Sequence, residues 1–387
     1  MELRELRNQN ELVDLFCTLA EIPSPSLNEG KVIEWICKYC TGNNIECEKD
    51  DYENLYIRIP ATDSTKEPIL LSAHLDVIGD DSPVEAYLDG DLIKAKGRTL
   101  GADDKAGVAN ALYFTKLLKD RTDLKHGGLE IHFTRDEENS MTGIKNTDFN
   151  KINSKYVLVL DSDALGQCLI SGASYVMVDL KISAPKGGHS GNDIGDNTRE
   201  NATKLIADLV SDLPQGVYFS EDGKVVTSCN IGGISSGDLN VTNVINTDAH
   251  ATYSIRSSRK DKENELIDTM KTIVDAFNEQ YEGIATATIT FTEKMPMFEK
   301  NEDNTIPELF EKIAKEIGVE PEISSFHAGA ETHIYANKTN AKGEKFSPYL
   351  LGLATVCNMH SAREYVDYKT MLKGQELLQA FFEAFNK

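Results

Sequence analysis

The chain of 387 residues is long enough for two or more domains, each with a core of its own. Its 40 Lys and Arg residues are outnumbered by 63 Asp and Glu residues, and the formal net charge of −23 repels nucleic acids and anionic membranes. Hydrophobic residues make up 40% of the composition, which excludes an intrinsically disordered chain.

The sequence shows neither an apolar run of transmembrane length nor a signal-peptide pattern in its first residues, so we expect a cytoplasmic protein without a membrane partner. Seven cysteines are scattered along the chain, at positions 17, 37, 40, 47, 168, 229 and 357. Their odd number and irregular spacing argue against a disulfide framework. The pair Cys37 and Cys40 is interpreted as packing cysteines, because no second pair accompanies it.

The first 172 residues alternate between helix and strand patterns. Apolar residues at helical spacing predict a helix from Glu11 that ends before Pro23, and a capping-box pattern at 26–29 predicts a second helix that ends at Gly42. Strand patterns follow at 54–59, 68–75, 129–134 and 156–160. Another helix pattern begins after Asp104. This alternation predicts an α/β layer with a mostly parallel sheet flanked by helices.

The pattern changes near residue 173. Strand, helix, strand, strand, helix and strand patterns follow in that order, at 175–183, 198–213, 225–231, 248–257, 261–281 and 284–292. This β-α-β-β-α-β order is typical of a ferredoxin-like fold. Helix patterns at 306–317 and 368–385 and a strand pattern at 349–355 then resume the first layer. We therefore expect a discontinuous domain of residues 1–172 and 293–387, interrupted by a domain of residues 173–292.

Histidines and acidic residues stand at the ends of the predicted strands or in adjoining loops, namely His74, Asp103, Glu138, Asp161 and His360. Each alone has an ordinary structural explanation: a hydrogen-bonded core histidine, a helix cap, or a solvated turn. Five such groups at one sheet edge need compensating charge, and two divalent metals sharing one carboxylate would supply it. Mixed imidazole and carboxylate ligation suits catalytic zinc, and cobalt or manganese would also fit.

Short motifs carry a family resemblance. Gly-Ala-Asp-Asp-Lys-Ala-Gly at 101–107 resembles the motif of tripeptidase T, whereas Ala-His-Leu-Asp at 73–76 and Gly-Gly-His-Ser-Gly at 187–191 resemble aminoacyl-histidine dipeptidases. Both groups are di-zinc peptidases of the aminoacylase and carboxypeptidase superfamily. The likeness extends from Ile-Pro-Ser-Pro-Ser at 22–26 to His-Ser-Ala-Arg-Glu at 360–364. The resemblance implies a zinc-exopeptidase-like catalytic domain with an inserted lid and dimerisation domain.

The resemblance also implies a role for each candidate metal ligand. His74 and Asp161 would hold one zinc ion, Glu138 and His360 would hold the second, and Asp103 would bridge both ions. Each chain would therefore bind two divalent ions.

Two further carboxylates acquire roles in the same way. Asp76 would fix the tautomer of His74, two residues away on the same strand face. Glu137 would be the base that takes a proton from a metal-bridging water and passes it to the leaving amine. Its alternative is a surface carboxylate beside a true ligand. Asp104 and Lys105 receive no role, and we expect them to face solvent at the start of their helix.

Four residues are assigned to the substrate by the resemblance. His189 would reach the active site of the other subunit of a homodimer and stabilise the oxyanion, and its alternative is a turn histidine. Asn243 and Arg256 would contact the substrate, with the guanidinium gripping its terminal carboxylate. Glu331 would meet a free amino group, and its alternative is a solvated loop glutamate.

Together these inferences favour an exopeptidase that removes the amino-terminal residue of a small peptide, a tripeptide or a dipeptide. Ser162 and Asp163 depart from the Gly-Gly of tripeptidase T, so the preferred length stays open. The same site would also serve an N-acyl amino acid deacylase or a carboxypeptidase. A non-catalytic binding homologue is disfavoured, because all five proposed ligands and the base are present.

Overall fold

The computed structural model describes residues 2–387, and the chain divides there into two compact units. Unit 1 comprises residues 1–171, 300–325 and 330–387, and unit 2 comprises residues 172–299 and 326–329. Unit 2 thus ends later than the predicted boundary at 292, because its last strand continues to Met295. Within residues 2–387, no helix combines the length and the apolar character needed to cross a membrane.

The helices are α1 Leu3–Gln9, α2 Glu11–Ala20, α3 Gly30–Gly42, α4 Ala102–Lys119, α5 Thr142–Lys145, α6 Ala202–Asp212, α7 Lys260–Gln280, α8 Thr305–Glu316, α9 Thr332–Tyr335 and α10 Tyr368–Phe385. A 3₁₀ turn lies at Phe149–Lys151. The strands are β1 Glu46–Lys49, β2 Leu55–Ile59, β3 Ile69–His74, β4 Ala86–Asp89, β5 Leu92–Ala95, β6 Leu129–Thr134, β7 Tyr156–Val159, β8 Gln167–Gly172, β9 Tyr175–Ser183, β10 Gly188–His189, β11 Gly216–Glu221, β12 Lys224–Ser236, β13 Val244–Ile245, β14 Asp248–Ser257, β15 Thr286–Met295, β16 Glu322–Phe326, β17 Ser347–Leu351, β18 Thr355–Cys357 and β19 Tyr365–Asp367.

Unit 1 is built on a mixed sheet with the strand order β1-β2-β6-β3-β7-β17-β8-β16. The central strands β6, β3, β7 and β17 are parallel, whereas β2 and β8 join this centre in antiparallel orientation. Every residue of β3 and β6 is buried, as expected for parallel strands with both faces covered. The predicted mixed, mostly parallel α/β class is therefore confirmed.

The core of unit 1 lies between this sheet and its helices. Phe16 of α2 and Leu112 of α4 are fully buried and share one apolar cluster with Leu71 of β3. Phe114 of α4 packs edge to face against Phe382 of α10, with ring centroids 5.1 Å apart. The cluster supports the sheet edge at which the candidate ligands lie.

Unit 2 has an antiparallel sheet with the order β11-β12-β14-β9-β15. Its strands and helices include the six predicted elements in their predicted order, and β9 has the predicted bounds. Its own apolar cluster joins β9 and β14 to α6 and α7. The edge strand β11 was missed, because it is mostly exposed and lacks the alternation of a half-buried strand.

Two predictions about secondary structure in unit 1 are wrong. The expected capping box does not form, because Glu29 is buried and accepts a hydrogen bond from the backbone N–H of Asp136 at 3.0 Å. The expected strand at 349–355 is two strands, β17 and β18, separated at Gly352. At this break Gly352 approaches the backbone carbonyl of Ala164 so closely that no side chain fits.

Candidate metal centre

The five predicted ligands converge at one edge of the unit 1 sheet. His74 is the last residue of β3, and Asp161 follows the adjacent parallel strand β7. Glu138 lies in the loop after β6, and Asp103 lies in the first turn of α4. His360 lies between β18 and β19 with a backbone φ of 59°. The carboxyl ends of parallel strands thus meet as expected for a site in an α/β sheet.

The two oxygens of Asp103 face different imidazoles. Its Oδ1 lies 3.1 Å from Nε2 of His74, and its Oδ2 lies 3.2 Å from Nε2 of His360. Nε2 of His74 is also 3.6 Å from Oδ1 of Asp161, and Nε2 of His360 is 2.9 Å from Oε1 of Glu138. The site therefore has two halves that share one carboxylate.

Burial and mutual repulsion make this site electrostatically unusual. Burial and the Asp103 carboxylate raise the pKa of both Glu138 and Asp161 to about 7. The hydrogen bond to Asp103 raises the pKa of His360 to about 9. Burial by itself lowers the pKa of His74, but Asp161 and Asp103 raise it well above its usual value. Carboxylates this crowded require positive charge between them, which divalent cations provide.

The donor set also fits divalent metals. Ligand atoms of His74, Asp103 and Glu138 lie within 4.8 Å of one another. Oε1 of Glu138 is within ion-pair distance of His360, yet it has no partner with hydrogen-bond geometry among residues 2–387. A buried carboxylate oxygen without a hydrogen bond is costly unless a cation binds it. Nitrogen and carboxylate oxygen donors are those that zinc, cobalt and manganese accept.

Asp76 connects His74 to the loop after β6. Nδ1 of His74 lies 3.0 Å from the main-chain carbonyl of Asp76, and the carboxylate is farther away, at 3.5 Å. The carbonyl therefore fixes the ring more directly than the carboxylate, which refines the prediction. The carboxylate instead accepts hydrogen bonds from the hydroxyl of Ser26 at 2.7 Å and from the N–H groups of Glu137 at 2.9 Å and Glu138 at 3.2 Å.

These contacts keep Asp76 ionised. Burial opposes the charge, but the His74 imidazole, the Ser26 hydroxyl and the Glu137 N–H together lower the pKa of Asp76 to about 2. The carboxylate can therefore act as a permanent acceptor for the backbone that carries Glu137 and Glu138. Sequence reasoning placed Ser26 in a capping box and missed this role, since nothing in its local pattern points to Asp76.

Glu137 lies in a low-dielectric position beside the ligands. Burial, followed by the charges of Asp161, Glu331 and Glu138, raises the pKa of Glu137 well above its usual value. Glu137 is half-buried, and its role as the base, as opposed to a surface carboxylate beside a true ligand, stays a prediction. A carboxylate with a raised pKa in such a place is suited to proton transfer.

Glu331 is buried, with 1% of its surface exposed. It accepts a hydrogen bond from the hydroxyl of Ser72 at 3.3 Å, so the alternative of a solvated loop glutamate is wrong. Its Oε1 has no hydrogen-bond partner within the described chain. That this oxygen binds the free amino group of a substrate stays a prediction.

Asp104 and Lys105 were expected to face solvent, and this expectation is wrong. Their exposures are 3% and 1%. Oδ1 of Asp104 accepts a hydrogen bond from the N–H of Gly107 at 3.0 Å, and Nζ of Lys105 donates one to the carbonyl of Ile22 at 2.6 Å. Both side chains are therefore covered, which the charged sequence of this turn did not reveal.

The remaining candidates lie in unit 2. His189 of β10 pairs with Val244 of β13, and Ser190 donates a backbone hydrogen bond to the carbonyl of Asn243 at 3.0 Å. These contacts hold the His189 loop beside Asn243. Their roles toward a substrate stay predictions.

Arg256 lies on β14 with its guanidinium 4.8 Å from the ring centre of Tyr175. Its Nη1 is buried and lacks a hydrogen-bond partner among residues 2–387. The guanidinium thus has one free donor group, and its assignment to a substrate carboxylate stays a prediction.

Comparison with known proteins tests the resemblance directly. A sequence model of peptidase family M20/M25/M40 matches residues 70–384. The cytosol non-specific dipeptidase of Escherichia coli (strain K12) is 28% identical over 303 residues, which cover 70% of this chain and 59% of that protein.

Solved structures show the same fold. Aminopeptidase PepT from Bacillus cereus ATCC 10987 matches with a TM-score of 0.86 and 24% identity, covering 97% of this chain and 98% of that one. Aminoacylhistidine dipeptidase from Vibrio alginolyticus matches with a TM-score of 0.73 and 21% identity, covering 96% of each chain.

The family match spans all five candidate ligands, from His74 to His360. It confirms the resemblance inferred from the short motifs, and the two structures confirm the fold. The chain therefore belongs to peptidase family M20/M25/M40 and is a metal-dependent peptidase.

Proposed function

We propose that the protein is a two-zinc exopeptidase that removes the amino-terminal residue from tripeptides or dipeptides. The observation that carries the metal assignment is the position of Asp103, whose two oxygens lie 3.1 and 3.2 Å from two different imidazoles. His74 and Asp161 would hold one ion, Glu138 and His360 would hold the other, and Asp103 would serve both. Zinc suits this donor set, with cobalt and manganese as alternatives.

Bound divalent metals supply Lewis acidity, which polarises a scissile carbonyl and makes water a stronger nucleophile. The chain supplies the proton transfer. Glu137 accepts a proton from the attacking water and later donates it to the leaving amine. Asp76 holds the backbone N–H groups of Glu137 and Glu138, so that the base and its neighbouring ligand keep a fixed spacing.

Unit 2 is proposed to act as a lid and as the contact between the subunits of a homodimer. His189 would stabilise the oxyanion in the partner active site, and Asn243 would contact the substrate. Arg256 would bind the terminal carboxylate, and its unpartnered Nη1 supports this role. Glu331, whose Oε1 is also unpartnered, would meet the free amine. The dimer is checked by light scattering of purified protein, and the cytoplasmic location stays a prediction.

Hydrolysis of blocked and free peptides by the zinc-loaded protein tests the reaction class. A tripeptide with free ends is expected to lose its amino-terminal residue, whereas its N-acetylated form is expected to be stable. Cleavage of the acetylated peptide alone identifies a deacylase, and release of the carboxyl-terminal residue identifies a carboxypeptidase. Free dipeptides and tetrapeptides in the same panel establish the preferred length.

Metal analysis distinguishes an enzyme from a non-catalytic homologue. About two zinc ions per chain and hydrolysis of at least one free peptide are expected for the proposed two-metal site. Fewer than one ion per chain, with no hydrolysis after addition of zinc, cobalt or manganese, contradicts the proposal.

A further inference from the structure

A buried carboxylate lies beside the backbone of Asp103 and has no role in the proposal above. Glu364 directly precedes β19, and 1% of its surface is exposed. Its Oε2 accepts hydrogen bonds from the hydroxyl of Thr99 and from the N–H of Gly101, the latter at 2.9 Å. Its Oε1 accepts from the N–H groups of Ala102 at 2.8 Å and Asp103 at 3.2 Å. One side chain therefore binds four donors of one loop.

This loop is the segment that presents Asp103. The backbone dihedrals of Asp103 and Asp104 are not helical, so the N–H groups of residues 101–103 precede the regular part of α4. A carboxylate is a strong acceptor for such backbone N–H groups. Gly101 has a φ of 75°, and a side chain there would meet Val77 at 2.8 Å, so the backbone path is narrowly constrained. Glu364 thus fixes the backbone from which the Asp103 side chain projects.

Glu364 is equally fixed to the loop that presents His360. Its N–H donates to the carbonyl of Ser361 at 3.1 Å, and the hydroxyl of Ser361 donates to the carbonyl of Asn358 at 2.6 Å. His360 lies inside this compact turn, four residues before Glu364. The two loops are 257 residues apart along the chain at Asp103 and His360, yet their ligand atoms lie 3.2 Å apart.

We propose that Glu364 is a positioning residue that sets the spacing between Asp103 and His360 and thereby the affinity for the ion that they share with Glu138. The inference rests on the proposed two-metal function. The Glu364 carboxylate accepts hydrogen bonds from the Thr99 hydroxyl and from backbone N–H groups that include that of Asp103, so it acts through Asp103 and not on the metal. A role limited to stability would lower the melting temperature of the metal-free protein and leave zinc affinity unchanged.

Zinc titration of the metal-free Glu364→Gln variant against a competing chelator tests this inference. The amide places an NH₂ group where one carboxylate oxygen stood, so at least one loop N–H loses its acceptor. We expect zinc affinity at one site to fall at least tenfold, with kcat recovered at high zinc concentration. Glu376→Gln is the matched control, because Glu376 is an exposed residue of α10 that pairs with Lys373. Its zinc affinity is expected to equal that of the wild type.

Thr99→Val provides a second, milder variant, since valine keeps the shape and removes one donor to Glu364. We expect it to fold normally and to lower zinc affinity twofold to fivefold. Zinc affinity within twofold of the wild type in a folded Glu364→Gln protein overturns the inference. If that variant does not fold, unchanged affinity in Thr99→Val overturns it. Failure of the wild type to bind zinc instead refutes the proposed two-metal function.

Discussion

Replacement of Asp76 by Asn is the sharpest test of how the catalytic loop is held. The carboxylate is fully buried and accepts hydrogen bonds from the Ser26 hydroxyl and from the N–H groups of Glu137 and Glu138. Each of its oxygens receives one of the two N–H groups. Asparagine has the same shape but only one acceptor oxygen, so its NH₂ group must face either Glu137 or Glu138.

The expected loss of activity in Asp76→Asn can be calculated from the one hydrogen bond that the variant loses. A hydrogen bond to a charged acceptor contributes about 1.5–3 kcal/mol, and an orphaned buried donor adds a cost of its own. The loss of one such bond, together with the cost of a buried N–H group without an acceptor, therefore destabilises the native position of the loop by about 2–4 kcal/mol. If that energy is lost from the transition state, kcat/KM falls about 30-fold to 1000-fold, at about 1.4 kcal/mol per factor of ten.

The assay is kcat and KM on a free tripeptide at saturating zinc, together with the zinc content of each protein. We expect Asp76→Asn to retain its zinc, because the main-chain carbonyl that orients His74 is unchanged. The loss is expected mainly in kcat. Asp91→Asn serves as the control, since Asp91 is an exposed partner of Lys369. A kcat/KM within threefold of the wild type refutes the positioning role of Asp76.

Four further predictions concern the base, the metals and the core. Glu137→Gln should lower kcat about 10²-fold to 10⁴-fold, the usual contribution of a general base, while metal analysis shows unchanged zinc. Chelator treatment should abolish hydrolysis and lower the melting temperature, since ligands stabilise by about 2.7 kcal/mol at 100 times Kd. Gly374→Ala should cost about 1–3 kcal/mol in urea unfolding, because its new methyl group would overlap the carbonyl of Leu353. Burial lowers the pKa of His132 to about 3. The free energy of unfolding of the metal-free protein should therefore fall as the pH drops below 6.5, and this fall should be less steep in His132→Gln.

Each of these predictions has a clear contrary result. Full activity in Glu137→Gln removes that residue from the proton transfer. Activity that survives complete metal removal contradicts the two-metal proposal. Gly30→Ala is the control for Gly374, because a side chain at Gly30 meets nothing within 4 Å, and equal stability of the two variants refutes the packing argument. For His132, the folded pKa lies below the unfolded one, so identical pH slopes in variant and wild type contradict the assignment.

Much of unit 1 could be predicted because its signals are local. The continuous apolar run that forms β3 and the helical spacing that forms α4 each report burial along their own segment. Five chemically suitable residues at strand ends then predicted a metal site, since parallel strands end at one edge. The edge strand β11 was not predicted, because an exposed strand has no periodic apolar pattern. The division between β17 and β18 was not predicted either, because the close backbone approach at Gly352 leaves no trace in the periodicity.

By itself, the sequence determined the layer architecture, the order of six elements of unit 2 and the choice of candidate ligands. Tertiary structure alone decided which groups hold those ligands in place. Asp76 meets Ser26 and Glu137 across 50 and 61 residues of chain, and Glu364 meets Asp103 across 261. Lys105 is buried although its sequence places it on a charged helix start. Periodicity records which side of an element is covered, whereas these hydrogen bonds depend on where distant loops meet after the sheet has formed.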